Sequence, residues 1–398
     1  MSINQTEATR LARICLPKIL AHSNSNTGSD DDVPSTFLSD DAVSFKSLCR
    51  LWAGMGYIYQ VTIAMPSSSP PSNNSKSKHK TSHNNFIIKH IVIPSPPNSR
   101  RSIGDERKAY SYWIEANFYQ TLAPTLIEKY DLDIPIPYHI ELDGEFDNGD
   151  DANSDNEVVE KDQTITICMS LLDGSPSSNR YNTNHIHATL SWLATLHAAT
   201  WGSRVDDYVQ TKAVQPIGSY WHLDTRPDEH ESMSRRGWEG RLKLAARAIH
   251  ERLRRDKMQC CIHGDAKDAN MLFQKVDGGG VSVCMYDFQY CGKAPPSVDL
   301  AYYFCVAVGD INTDYIQYYH QQLICILQND GIQSLPTLNE LEESLSMALC
   351  DFQRFMCGWG QWGSDISGKV IKVLDRLDGG RMLNSEDDYR EAVRREYG

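Results

Sequence analysis

Three oxygen-bearing side chains stand at a spacing that suits phosphoryl transfer: Asp265, Asn270 five residues on, and Asp287 beyond a short apolar hairpin. They lie in Ile262-His263-Gly264-Asp265-Ala266-Lys267-Asp268-Ala269-Asn270 and Tyr286-Asp287-Phe288-Gln289. Moving a phosphoryl group leaves a protein little covalent work. It must align the acceptor hydroxyl, hold a metal ion and neutralise the transferred charge. An Asp facing the acceptor, with an Asn and a second Asp facing the metal, supplies those parts. Between Asn270 and Asp287 the chain runs Met271 to Val276, then Asp277-Gly278-Gly279-Gly280, then Val281 to Tyr286. Two β-prone runs around a Gly-rich turn predict a hairpin that returns Asp287 beside Asn270. A buried β-turn with a capping Asp would carry the same residues without the chemistry.

With Asp299-Leu300-Ala301-Tyr302 added, residues 259–304 resemble the choline kinase-like and ecdysteroid kinase-like branch of the aminoglycoside phosphotransferase superfamily. That resemblance implies an α+β, bilobal protein kinase-like fold. It would have an N-terminal antiparallel sheet lobe with one helix and a larger, mainly helical C-terminal lobe. It also implies ATP and Mg²⁺. Asp265 would be the catalytic residue at the substrate hydroxyl, and Asn270 and Asp287 would hold Mg²⁺ through oxygen, which suits a hard cation. His263 would hydrogen-bond within the loop. Asp299 would lock the loop backbone from below, or act as a helix N-cap. An ordinary Asp has a pKa of about 3.9, so positioning should carry more of the rate than proton abstraction. Lys267 departs from the apolar or His residue often found there in the family. It stands where protein-serine kinases place a lysine near the γ-phosphate, and either neutralises the transferring group or points to solvent.

The elements that must position these groups follow in order. Ser47 to Trp52 and Tyr57 to Ile63 are β-prone around a turn holding Gly54 and Gly56, which would lie over nucleotide phosphates or be an ordinary hairpin turn. The apolar run Asn85 to Ile93 is interrupted by Lys89. A Lys in such a strand is commonly on its solvent side, but the order of glycine turn, strand and acidic helix makes Lys89 the candidate for the α- and β-phosphates. Its partner would be Glu115 on a helix predicted over 104–122, with Glu106 the competitor, and either could be a solvated helix charge. Gln163 to Met169 reads as a strand leading into a hinge, where backbone groups at Ser170 to Leu172 would bind adenine by resemblance. From residue 184 the pattern is helical, and His197 on its apolar face reads as a satisfied core or helix-terminus histidine. Trp359 and Trp362 suit either cation–π contact with a quaternary ammonium or aromatic core packing.

The remaining chain bounds the reading. Its 398 residues fit two lobes. A net charge of −13 argues against nucleic acid as partner. No apolar run suggests membrane insertion. Eleven scattered cysteines point to a reduced, cytoplasmic setting. Residues 6–21 read as a packed amphipathic helix in preference to an organellar presequence, which Pro17 disfavours. The expected division is 1–35, the N-terminal helix and a disordered segment; 36–169, a nucleotide-binding lobe with insertions at 66–85 and 143–162; 170–174, a hinge; and 175–398, the catalytic and substrate lobe. Only eleven residues separate Asp287 from Asp299, no Ala-Pro-Glu follows, and no Arg stands beside Asp265. A protein kinase's peptide platform therefore has no room, and the expected partner is a small-molecule hydroxyl acceptor. A catalytically silent nucleotide binder is the alternative. It predicts loss of Asp265, Asn270, Asp287 or Lys89, all of which are present.

Overall fold

The computed structural model describes residues 2–24, 38–51, 54–65, 82–95, 103–144, 162–176 and 182–398. Most of both expected insertions (66–81 and 145–161) and the stretch 25–35 expected to be disordered lie outside the described residues. The chain divides into two compact units, Met1–Gln120 with Pro135–Leu172, and Thr121–Ile134 with Asp173–Gly398.

In the first unit, β1 (Val43–Arg50), β2 (Gly56–Met65), β3 (Ser82–Ile93), β4 (Pro137–Asp143) and β5 (Gln163–Ser170) form one antiparallel sheet. Its order is β1-β2-β3-β5-β4. Residues 82–85, expected in the insertion, instead begin β3 and pair with Met65 to Thr62. Polar cross-strand pairing extends the ladder there, with Thr62 Oγ1 donating to Asn85 Oδ1 at 2.6 Å.

Side chains alternate across β3. Phe86 and Ile88 join Tyr59, Val61, Ile63 and Cys168 in a core against Ala8, Leu11, Ala12, Cys15, Leu16 and Ile19. Those last six recur at helical spacing on the N-terminal helix, Gln5–Asn24, and so form one apolar stripe. Arg10 on the same helix reaches β4, where its guanidinium donates to both carboxylate oxygens of Glu141 at 2.7 and 2.6 Å. Lys89, one step along from Ile88, points to the opposite face. That face meets the helix Ile103–Asn117, whose Ala109, Tyr112, Trp113 and Ala116 are buried at spacings of a 3.6-residue turn.

The segment Thr121–Ile134 belongs with the second unit, although the expected boundary placed it in the first lobe. Tertiary bonds invisible to local pattern hold it there. Trp192 Nε1 donates to Asp133 O at 2.8 Å, and Tyr130 donates to Asp330, which also accepts from Arg204. The rest of this unit is mainly helical around the buried helix Leu338–Trp359, opened by a capping box of Thr337 and Glu340. Two small antiparallel pairs interrupt the helices: β6 (Cys260–Ile262) with β9 (Gly292–Ala294), and β7 (Met271–Lys275) with β8 (Val281–Met285). The expected α+β fold of protein kinase-like type is the one observed. No helix among the described residues is long and apolar enough to cross a membrane. All eleven cysteines are free thiols.

Candidate active site

In the second unit, β6 delivers the chain into a loop that Asp299 holds from a neighbouring helix. The Asp299 carboxylate accepts from the backbone N–H of His263 at 2.7 Å and of Gly264 at 2.9 Å. It sits third in the helix Ser297–Tyr303, whose N-cap position is Pro296, so it is not the cap. Gly264 has φ +79°, and an added Cβ would lie 2.1 Å from Tyr290 O. No side chain fits at that turn. His263 is wholly buried; its Nδ1 accepts from the Asp265 N–H at 3.3 Å while Nε2 faces Tyr286 O at 3.1 Å. These partners require a neutral ring with its proton on Nε2, and burial lowers the His263 pKa in the same direction.

Asp265 is 3% exposed and closely held. Oδ2 accepts from Lys267 Nζ at 2.7 Å and Asn270 Nδ2 at 3.0 Å, and Oδ1 accepts from Tyr302 OH at 3.0 Å. Burial raises its pKa; the nearby Lys267 opposes this without reversing it. Lys267 thus points to the carboxylate and not to open solvent, although about a third of its side chain is exposed. Tyr302 is a fixed donor, because burial and the Asp265 charge hold its hydroxyl far above the usual tyrosine range.

Asn270 ends a short 3₁₀ turn, Asp268–Asn270. Its amide nitrogen donates to both the carbonyl and the carboxylate of Asp265, at 2.9 and 3.0 Å. Its carbonyl oxygen Oδ1 is left as the metal-capable atom. The hairpin β7–β8 returns the chain as expected, and Tyr286 N–H donates to Asn270 O at 3.1 Å. Asp287, the next residue, has φ +69°, a region costly for most side chains and often found at functional sites. Its charge is close enough to raise the Asp265 pKa further, and Gln289 Nε2 donates to its Oδ1 at 2.6 Å. Among the described residues no group of three or more His, Cys, Asp or Glu could hold a metal ion by itself. An amide oxygen beside carboxylates fits Mg²⁺, which takes few protein ligands and completes its shell with water and phosphate.

In the first unit, Lys89 Nζ donates to Glu115 Oε2 at 2.6 Å, with side-chain exposures of 6% and 2%. Glu106 is exposed. The Lys89 ammonium also lies 5.5 Å from the Tyr112 ring centroid. The turn between β1 and β2 uses its glycines for its own geometry. Gly54 N–H donates to Leu51 O, and a Cβ on Gly56 would stand 2.0 Å from His90 O. Ser170 ends β5 with its N–H donating to Ile136 O at 2.9 Å and its Oγ accepting from Ile136 N at 3.0 Å. Leu172 lies beyond the ladder, and the chain passes into the second unit after it.

Sequence reasoning missed the roles of Tyr302, Tyr220 and Arg226, whereas the reading of His197 as a satisfied buried histidine agrees with the structure. His197, read as a core histidine, is fully buried, with Nε2 3.2 Å from Asp299 Oδ2 and Nδ1 2.7 Å from Tyr319 OH. It therefore orients the carboxylate that holds the loop. Tyr302 stands in the quoted Asp-Leu-Ala-Tyr segment, one helical turn after Asp299, which is the signal that could have found it. Tyr220 meets Tyr302 hydroxyl to hydroxyl at 3.1 Å, and Arg226 packs on the Tyr220 ring. Nothing local in the sequence marks that pair.

The model of the phosphotransferase enzyme family matches residues 114–324, just over half of the chain. That span holds Glu115 and the whole Asp265 loop but not Gly54, Gly56 or Lys89. No curated protein matches the chain. Among solved structures, the Plasmodium vivax ethanolamine kinase is 14% identical with a TM-score of 0.43, the match covering 98% of this chain and 92% of that one. A microcompartment-associated aminopropanol kinase is 12% identical with a TM-score of 0.41, covering 92% and 99%. A type VIII aminoglycoside-3'-phosphotransferase is 13% identical with a TM-score of 0.40, covering 79% and 94%. Likenesses at this level decide nothing about substrate.

Proposed function

We propose that this chain, which belongs to the phosphotransferase enzyme family, moves the γ-phosphate of ATP to a hydroxyl of a small molecule. The observation that carries the reading is the hold on Asp265: a buried carboxylate gripped by Lys267, Asn270 and Tyr302, on a loop whose backbone is fixed by Asp299. Asp265 would accept the hydrogen bond of the acceptor hydroxyl and take its proton late. Its raised pKa makes it a somewhat better proton acceptor than an ordinary Asp. Alignment of the hydroxyl would still supply most of the rate.

Asn270 Oδ1 and the Asp287 carboxylate would hold Mg²⁺, whose charge would offset that of the phosphates when bound. Lys89, fixed by Glu115, would meet the α- and β-phosphates, with Gly54 and Gly56 keeping the turn above them narrow. Backbone groups from Ser170 to Leu172 would receive the base. Lys267 would leave Asp265 as the acceptor binds and turn its ammonium to the transferring group. The acceptor classes compatible with the fold are amino alcohols such as choline or ethanolamine, steroids, and aminoglycosides.

The test is metal-dependent ATP turnover against a panel of amino alcohols, sterols, sugars and aminoglycosides, with Asp265→Asn as control. Product formation by the unaltered chain and its loss in the variant is the expected result. Tight ATP binding with no turnover on any acceptor would point instead to a silent nucleotide binder, which no observation favours at present.

A further inference from the structure

An aromatic wall runs outward from the catalytic carboxylate of the second unit. Tyr302 donates to Asp265 Oδ1, and its hydroxyl meets that of Tyr220 at 3.1 Å. The Tyr220 ring packs edge-on against Phe355 at 5.8 Å, and Phe355 lies 5.6 Å from Trp359, which is 55% exposed. Three aromatic rings around one space are what a protein uses to bind an ammonium group.

Here that space already holds a cation. The Arg226 guanidinium carbon stands 5.5 Å from the Tyr220 centroid, 5.5 Å from Phe355 and 5.0 Å from Trp359. Two bonds pin it: Nε donates to Tyr220 O at 2.8 Å and Nη1 to Glu229 Oε1 at 3.2 Å. Only 15% of either charged side chain is exposed. An incoming ammonium would have to displace the guanidinium from all three rings and both acceptors, or else sit beside it and meet a like charge. Glu229 balances Arg226, so the wall offers an anion no net positive charge either. What remains for a ligand is the exposed apolar face of Trp359.

We propose that Arg226 is a specificity-determining residue, which fills the aromatic wall and so selects an uncharged alcohol with an apolar body over an ammonium alcohol. This rests on the phosphotransferase reading for the identity of the site, but binding tests it independently of turnover. The probes are choline and its uncharged isostere dimethylbutanol, in which a quaternary carbon replaces the ammonium nitrogen. Each is titrated into the full chain with calorimetry and tryptophan fluorescence as readouts, and ADP formation is followed separately with Asp265→Asn as control.

The unaltered chain should bind the uncharged alcohol about tenfold or more tightly than choline, because choline would meet the like charge of Arg226 a few ångströms away. Arg226→Ala should open the wall and shift that ratio toward choline by a similar factor, while Arg226→Lys, which keeps a cation in place, should retain the original preference. Equal binding of both alcohols, binding of neither, or a preference for choline by the unaltered chain overturns the proposal. So does an Arg226→Ala variant that keeps its melting temperature and its original ratio. If Arg226→Ala does not fold, the ratios of the unaltered chain and of Arg226→Lys decide. Absence of ADP formation with the predicted binding ratio would count against phosphoryl transfer and leave the role of Arg226 standing.

Discussion

The two charged centres of this protein are held in opposite ways. In the first unit, Lys89 and Glu115 form a buried pair between a strand and a helix. Each is the other's charge partner, so the pair is part of what keeps the sheet and helix together. In the second unit, Asp265 sits on a loop whose shape is set by other groups: Asp299 holds the backbone, His197 orients Asp299, and Gly264 admits the turn. Asp265 is thereby relieved of structural duty. Mutation of Glu115 should cost mainly fold stability, and mutation of Asp265 mainly chemistry.

The largest effect should come from breaking the pair. Glu115→Ala would remove the buried carboxylate to which Lys89 donates, a loss of about 3–5 kcal/mol in such settings. Urea unfolding would measure it, and Lys89→Met with Glu115→Leu should restore much of the stability. If the single variant unfolds at the same urea concentration as the original chain, the contrast between the two centres is lost.

Asp299→Ala should have an effect of comparable size, because it removes a charged acceptor from two backbone N–H groups. Each such bond contributes about 1.5–3 kcal/mol. Stability and turnover should fall together in this variant, which marks the scaffold of the loop.

Lys267→Ala sharpens the same line from the other side. One lost electrostatic contact to the transferring group should lower turnover about a hundredfold. The melting temperature should fall less than in Glu115→Ala, since Lys267 is about a third exposed and Asn270 and Tyr302 still donate to the Asp265 carboxylate. An unchanged rate would remove Lys267 from the mechanism.

The smallest effect is a pH dependence at the N-terminal helix. Hydrogen bonds from Arg10 hold the Glu141 pKa at about 2, below its usual 4.5. A depressed carboxylate stabilises the fold above its unfolded pKa, and that contribution fades as pH falls from 4.5 toward 2. Both side chains are more than a third exposed, so solvent screening keeps the effect small. Melting of the chain and of Glu141→Gln should converge over that range.

Legibility in the sequence followed the same division. The Asp265 loop and its hairpin were readable because the groups are packed into one short stretch, with a Gly-rich turn to mark the return. The N-terminal helix was readable because its apolar residues keep helical spacing. Lys89 could be ranked by the order of elements, but spacing alone left Glu106 beside Glu115. Only the face of the helix separates them, and Glu115 is the one turned to the sheet. Residues whose partners are remote stayed hidden. His197 looked like any core histidine until Tyr319 and Asp299 closed around it. Arg226 stayed hidden because two of its three aromatic neighbours, Phe355 and Trp359, lie far along the chain, and only Tyr220 is near it in sequence. The segment 121–134 was misplaced for the same reason: Trp192 and Asp330 hold it, and neither is near it in sequence.

The most direct measurement is the mass of the acceptor after incubation with ATP and Mg²⁺, for the unaltered chain and for Asp265→Asn at equal folded concentration. The unaltered chain should convert at least one small alcohol to its phosphate ester, and the variant should do so about 10²–10⁴-fold more slowly with its melting temperature kept. Equal rates in the two would contradict the placement of the reaction at Asp265.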